Sequence, residues 1–304
     1  MQSVIVNKLS KNYGKKKEIE AVKEISFEVS TGELFGVIGP DGAGKTSLFR
    51  MLTTLLLPDS GNASVDGSDI VKNFKDIRNK VGYMPGRFSL YQDLSVAENL
   101  AFFATIFNTT VEKNYDLIKD IYVQIEPFKK RKAGKLSGGM KQKLALCCAL
   151  IHRPVVLFLD EPTTGVDAVS RKEFWEMLKR LKQQGITILV STPYMDEAGL
   201  CDRIGLMQQG ALLSVGTPEQ ITASFKHDLL GVKAQDMYAL LKDLDAYTNI
   251  QDAYSFGEYH HAVMNENYNK EQLENYLQQK GNKQVVIQNI HPTIEDSFMQ
   301  LMKQ

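Results

Sequence analysis

The sequence is short of several things, and each shortage narrows what the chain can be. Only three of its 304 residues are cysteine and one is tryptophan. Cys147, Cys148 and Cys201 have no metal-ligand spacing, and the adjacent pair suits two small apolar residues of a helix. A reduced, cytosolic compartment is expected. Net charge is also missing, because 36 Lys and Arg balance 36 Asp and Glu. Generic nucleic-acid binding needs a basic surface and is not expected. Long apolar runs are absent. The longest, residues 144–151, falls far short of the ~20 residues a membrane-spanning helix needs. No apolar core follows Lys8 or Lys11, so no secretory signal is expected.

What is present is concentrated in one octapeptide. Residues 39–46 read Gly39-Pro40-Asp41-Gly42-Ala43-Gly44-Lys45-Thr46 and fit G-x-x-x-x-G-K-[ST], the phosphate-binding loop. Polyphosphate needs backbone N–H groups crowded around it. Gly39, Gly42 and Gly44 permit the close approach and backbone angles that a Cβ would block. Lys45 supplies a point charge near the β- and γ-phosphates, and the hydroxyl of Thr46, followed by Ser47, can hold Mg²⁺. The context agrees. Residues 34–38 are a short apolar run that suits a buried strand, and residues 46–57 read as a helix whose N-terminus would face the phosphates.

The rest of the chain reads as α/β. Residues 3–7 and 25–30 alternate apolar and polar, as strands at a sheet edge do. Residues 81–84 suit a buried strand. From about 97 to 151 the periodicity is helical, with Leu100, Phe103, Ala104 and Phe107 on one face and Leu117, Ile118 and Ile121 on another. This stretch reads as an inserted helical subdomain over about 86–151. Residues 155–159 form an apolar run that suits a strand covered on both faces. A helix over 169–183, a strand over 186–191 and a hairpin around Gln208-Gln209-Gly210 come next. After about Thr222 the phosphate-site motifs stop. The pattern then gives strand, helix, strand, strand, helix, strand, helix, the order of a split β-α-β unit with an added helix. Two domains are expected, 1–221 and a small α/β domain over 222–304.

Two further segments carry chemistry. The apolar run 155–159 ends in Asp160-Glu161-Pro162. Beside a phosphate loop, Asp160 can hold Mg²⁺ and Glu161 can polarise a water aimed at the γ-phosphate. Leu136-Ser137-Gly138-Gly139-Met140-Lys141-Gln142 opens a helical run. A Ser hydroxyl, glycine N–H groups and a helix N-terminus make a second anion site. One triphosphate cannot easily use both sites of one chain, but two chains placed head to tail can.

In this order the motifs resemble the nucleotide-binding domain of ATP-binding cassette (ABC) transporters, over residues 1 to about 220. The resemblance implies a P-loop core with an antiparallel β subdomain and the helical insertion. Gly39–Thr46 matches the Walker A loop and residues 158–161 match Walker B with its catalytic Glu161. Residues 136–142, with Ser137, Gly138 and Gly139, match the family signature. Thr164-Gly165-Val166-Asp167 is similar to the D-loop that crosses the dimer interface. Tyr13 stands where an aromatic residue stacks on adenine, or is a half-exposed strand-end tyrosine. Pro292-Thr293-Ile294-Glu295-Asp296-Ser297-Phe298 resembles the tail motif of the drug- and polysaccharide-export branch with ABC-2 type permeases, or is a capped helix with an apolar face.

The same resemblance implies an ATPase using ATP and Mg²⁺. It would act as the motor of an exporter with a separate integral-membrane permease. A second nucleotide-binding subunit would complete each site, and the chain would sit in the cytoplasm on the inner face of the cell membrane. A soluble ABC ATPase without transport, or a low-turnover nucleotide switch, is the alternative.

Two positions break the family pattern, and both concern hydrolysis. Gly86 follows Gly82-Tyr83-Met84-Pro85 where a glutamine is usual, and Pro193 follows the strand 188–192 where a switch histidine is usual. Losing a donor to the γ-phosphate costs about 3–4 kcal/mol, a factor of ~10²–10³. Slow hydrolysis is expected, with Gln92, Ser191, Thr192 or Tyr194 as candidates to compensate. The loop from Gly86 through Arg87, Phe88, Ser89 and Leu90 to Tyr91 reads either as a partner contact or as core packing.

Overall fold

The computed structural model describes residues 1–14, 18–86 and 90–303, so Arg87, Phe88 and Ser89 lie outside the described residues. The chain divides into two compact units, Met1–Glu219 and Gln220–Gln304.

In the first unit, β1 (Gln2–Tyr13) and β2 (Ile19–Ser30) precede β3 (Leu34–Ile38), the phosphate loop and α1 (Lys45–Leu52). Next come β4 (Ser60–Val65), β5 (Ser68–Asp69), α2 (Phe74–Lys80) and β6 (Val81–Met84). The helical insertion holds α3 (Val96–Ile106), α4 (Tyr115–Tyr122) and α5 (Gly138–Leu150). The core resumes with β7 (Val156–Asp160), α6 (Ala168–Gln183) and β8 (Thr187–Thr192), then the hairpin β9 (Arg203–Gln208) and β10 (Ala211–Gly216).

Two sheets are built from these strands. A six-stranded sheet runs β10-β9-β3-β8-β7-β6, parallel except for the terminal hairpin. Every residue of β3, β7 and β8 is buried, which is why residues 34–38 and 156–159 read as continuous apolar runs, while β8 also buries Thr187, Ser191 and Thr192. A four-stranded antiparallel sheet runs β2-β1-β4-β5. The alternation in residues 3–7 therefore marks one face turned to the core, and not an edge, because β1 lies between β2 and β4. Phe49 of α1 meets Phe158 of β7 edge-on at 5.7 Å between ring centres, and both are fully buried.

Some boundaries differ from the sequence pattern for local reasons. The helix after the phosphate loop stops at Leu52 rather than reaching residue 57. The Thr53 hydroxyl donates to Phe49 O at 2.8 Å, and Thr54 has a positive φ of 62°, which no helix continues. The signature helix begins at Gly138, because Ser137 caps it. The helical stretch 97–151 is three separate α-helices, the first opened by a full capping box from Ser95 and Glu98. Cys147 and Cys148 pack as buried small residues of α5.

The second unit opens with most of α7 (Pro218–Ala223) and continues with β11 (Leu229–Lys233), α8 (Met237–Asp245), β12 (Ile250–Phe256) and β13 (Tyr259–Met264). It ends with α9 (Lys270–Gln279), β14 (Val286–Asn289) and α10 (Ile294–Leu301). The sheet order β12-β13-β11-β14, antiparallel throughout, is that of a split β-α-β unit. Leu240 and Leu244 of α8 and Leu273 and Leu277 of α9 fill its core.

The tail motif is woven into this unit. Thr293 and Asp296 form a capping box at the start of α10. Asp296 is fully buried and also accepts hydrogen bonds from Tyr254 Oη and His261 Nδ1, each at 2.6 Å. Burial alone would push its carboxyl up, but the bonds from His261, Thr293 and Tyr254 outweigh burial and hold it at about 2. Because the folded carboxyl titrates below the unfolded one, which lies near about 4, its contribution is complete above that value. It is lost as pH falls through about 2. Asp296→Ala also leaves His261 without its partner and should destabilise the unit by about 3 kcal/mol, read as a lower urea midpoint at pH 7. Repeating the titration between pH 7 and 3 should narrow the gap between variant and wild type.

Candidate functional site

The sheet order places β3, β8 and β7 side by side, so their C-terminal ends meet at one rim, where α/β sheets bind ligands. β3 delivers the phosphate loop, β7 delivers Asp160 and Glu161, and β8 ends at Ser191 and Thr192.

The loop's glycines answer two different demands. A Cβ on Gly39 would lie 2.0 Å from the carbonyl oxygen of Met207, so that position is fixed by close approach. Gly44 has φ 106° at the head of α1, and a Cβ there would lie 2.1 Å from Ala21 O. The loop therefore wraps between β9 and β2 with no room for side chains at these points. Ala43 is buried beneath it, while Pro40 is half-buried and Asp41 is exposed. A cavity of about 170 Å³ opens above, lined by Ala21, residues 42–47 and Glu161.

The charged groups converge there. Lys45 is 3% exposed, and its ammonium donates to Gly39 O at 2.7 Å and Pro40 O at 3.0 Å. It also pairs with Glu161 Oε1 at 3.0 Å. Thr46 Oγ1 donates to Asp160 Oδ1 at 3.2 Å, which brings two hard oxygen ligands together. Glu161 holds a positive φ of 50°, a conformation that costs a non-glycine residue about 1–3 kcal/mol and persists only under tight support. Tyr13, at the end of β1, reaches Ser47 Oγ through its hydroxyl at 3.1 Å.

Ser137, Gly138, Gly139 and Asp167 stand apart from this cradle. Gly138 instead lines a second cavity of about 200 Å³ with Gly86, Lys141, Gln142, Glu161 and Gly165. Ser137, Gly138 and Asp167 are exposed. Asp167 caps α6 by accepting from Ser170 N at 3.0 Å, and that backbone bond holds its carboxyl below the usual carboxylate range.

The two departures from the family pattern have structural surroundings. A Cβ on Gly86 would lie 3.0 Å from Asp160 O, so a larger residue there presses on the end of β7. At the end of β8, Thr192 Oγ1 donates to the buried Glu197, and just beyond it the Arg171 guanidinium lies 4.6 Å over the Tyr194 ring. Gln92 lies in neither cavity wall; its carbonyl accepts from Gly134 N at 2.9 Å. Met207 and Ala21 are walls of the loop that the sequence pattern does not assign, and no local signal marks them, because they arrive from β9 and β2.

Beside β6 a groove of about 460 Å³ runs between the core and the helical insertion, lined by Leu55, Tyr83, Leu90, Phe103, Ile106 and Phe107 among others. Leu90 is buried, and Tyr91 is half-exposed with its ring edge-on to Phe102 at 4.7 Å. Burial, and then the Asp160 charge, push the Tyr83 hydroxyl up to about 12.

Comparison with known proteins agrees with this geometry. Residues 22–164 match the family described as ABC transporter. Over 204 residues the chain is 47% identical to the probable multidrug ABC transporter ATP-binding protein YbhF of Escherichia coli strain K12. That match covers 66% of this chain and 35% of YbhF, so the chain spans about a third of that relative. Over 230 residues it is 37% identical to Nod factor export ATP-binding protein I of Burkholderia lata, covering 74% of this chain and 76% of that protein. Among solved structures, cbiO1 from Clostridium perfringens, described as part of the ABC transporter complex cbiONQ, superposes with a TM-score of 0.65 at 27% identity. It covers 73% of this chain and 91% of its own. With three quarters of the Burkholderia protein matched and the phosphate loop set against the carboxylates at the end of β7, this chain belongs to the ATP-binding protein family of ABC transporters.

Proposed function

We propose that the chain is the ATP-hydrolysing subunit of a membrane exporter with a separate ABC-2 type permease. The observation that carries this is the meeting of Lys45, Thr46, Asp160 and Glu161 at one rim of the sheet. Lys45 holds the β- and γ-phosphates, and Tyr13 stacks on the adenine. Thr46 and Asp160 fit Mg²⁺, offering adjacent hydroxyl and carboxylate oxygens. That ion would neutralise charge on the phosphate oxygens. Glu161 sits within reach of the same ammonium and orients the attacking water.

ATP clamps two copies head to tail, with the phosphate loop of one facing Ser137, Gly138 and Gly139 of the other. The exposure of Ser137, Gly138 and Asp167 supports this, since such groups serve a second chain better than their own site. Hydrolysis and product release reopen the pair. Turnover by the isolated chain is slow, because Pro193 supplies no donor to the γ-phosphate and Gly86 supplies no side chain near Mg²⁺ and the attacking water.

No helix among the described residues is long and apolar enough to cross a membrane. The chain works at the inner face of the cell membrane, where the groove beside β6 receives the permease. The relatives' names, which speak of multidrug and Nod factor export, support an exported substrate. The test is purification of the full chain from detergent-solubilised membranes, then ATP turnover with and without what co-purifies. An integral-membrane protein that binds and stimulates turnover is expected. Sedimentation with ribosomes, with no membrane partner, would overturn the export reading in favour of a soluble ABC ATPase.

A further inference from the structure

Ser191 has no assigned role beyond that of a candidate phosphate donor, and its surroundings give it a different one. It is fully buried in β8, directly opposite Asp160 in the parallel register of β7 and β8. Its hydroxyl has a single proton, which it donates to Asp160 Oδ1 at 2.7 Å. Ser191 Oγ in turn accepts from Glu161 N at 3.0 Å, and Ser191 O accepts from that N–H too, at 3.0 Å. One residue thus grips both carboxylate-bearing positions, and its proton is committed inward.

The two gripped positions are the ones that need outside support. Asp160 Oδ1 also accepts from Thr46 Oγ1, so the direction of that carboxylate is set by two hydroxyls from different elements. Glu161 sits at a positive φ of 50°, where a non-glycine backbone is stable only when its surroundings over-determine it. The bond to its N–H comes from the strand next door and fixes the turn that aims its side chain at Lys45.

We infer that Ser191 is a positioning residue for the ATPase reaction: it orients Asp160 toward Thr46 and holds the Glu161 turn, and it gives no hydrogen bond to phosphate. This rests on the reading of Asp160 and Glu161 given under the proposed function. Because Ser191 acts on Asp160, its loss should weaken divalent-ion binding at fixed nucleotide binding, which a general packing role would not do.

The experiment compares wild type, Ser191→Ala and Ser191→Thr. In the Glu161→Gln background, where no turnover intervenes, Mn²⁺ is titrated into ATP-bound protein and monitored by electron paramagnetic resonance. Ser191→Ala is expected to weaken Mn²⁺ about 10-fold or more, the scale of one lost hydrogen bond to a charged group. Metal-free ATP affinity should stay within about 2-fold. With Glu161 intact, kcat should fall about 10–100-fold while KM for ATP changes far less. Ser191→Thr, which keeps the hydroxyl, should recover both readouts.

Equal Mn²⁺ affinity and equal kcat in wild type and Ser191→Ala would overturn the inference. So would parallel losses of metal-free ATP binding and melting temperature, which would mark a structural role alone. If Ser191→Thr does not fold, the Ser191→Ala titration still decides. Failure of the wild type itself to bind Mn²⁺ with ATP would instead count against the reading of Asp160, and is distinguishable because it needs no variant.

Discussion

Glu161→Gln is expected to lower steady-state ATP turnover by about 10²–10⁴-fold, the usual worth of a positioned general base, while ATP continues to bind. The amide has nearly the shape of the carboxylate but cannot take up a proton from water. It also removes the negative charge 3.0 Å from the Lys45 ammonium. A cation in so buried a position then has more of its field available for phosphate, so nucleotide affinity should hold or rise. If two copies close on ATP, the variant should accumulate as an ATP-dependent dimer, visible by light scattering during size exclusion. Unchanged turnover would remove Glu161 from the reaction. The wild-type rate, measured beside it, reports on Gly86 and Pro193. Low but measurable turnover is expected, since two usual contributors are absent and neither Thr192 nor Tyr194 is free of other partners.

Gly44→Ala should abolish nucleotide binding, with affinity weakened by about 100-fold or more. Two costs fall on the same atom. The backbone at φ 106° is strained for any L side chain, at about 1–3 kcal/mol, and the new methyl would lie 2.1 Å from a backbone oxygen that cannot swing away, Ala21 O. Relief requires the loop to lift off β2, and the N–H groups that face the phosphates move with it. Isothermal titration with ATP measures the loss. Binding within a few-fold of wild type would mean that the loop tolerates a shift that its packing argues against.

How much of this was legible in the sequence depends on how local the cause is. The phosphate loop, the carboxylate pair and the signature helix are each written in consecutive residues, and each lies at the end of a strand or the start of a helix, as its pattern implied. The seven elements from β11 to α10 were also readable, because apolar periodicity within 4–10 residues decides strand or helix. Reading failed where the cause is distant. Alternation in residues 3–7 showed which face is buried but not that β4 pairs on the far side of β1. The early stop of α1 depends on Thr53 and Thr54, two ordinary residues in an apolar run. The inward commitment of the Ser191 hydroxyl depends on a register between strands roughly thirty residues apart, and nothing near Ser191 in the chain announces it. Asp296 was legible as half of a capping box, whereas its bonds to Tyr254 and His261 come from strands about forty residues earlier.

The scarcity of cysteine has a practical consequence. All three thiols are buried, and burial pushes them well above the ordinary range, so almost none of the reactive thiolate is available near neutral pH. A new cysteine placed on the exposed rim, for instance at Val169, should take up a maleimide dye selectively with the native thiols left in place. The proposed opening and closing of two copies can therefore be tracked by fluorescence in a background that keeps every native cysteine.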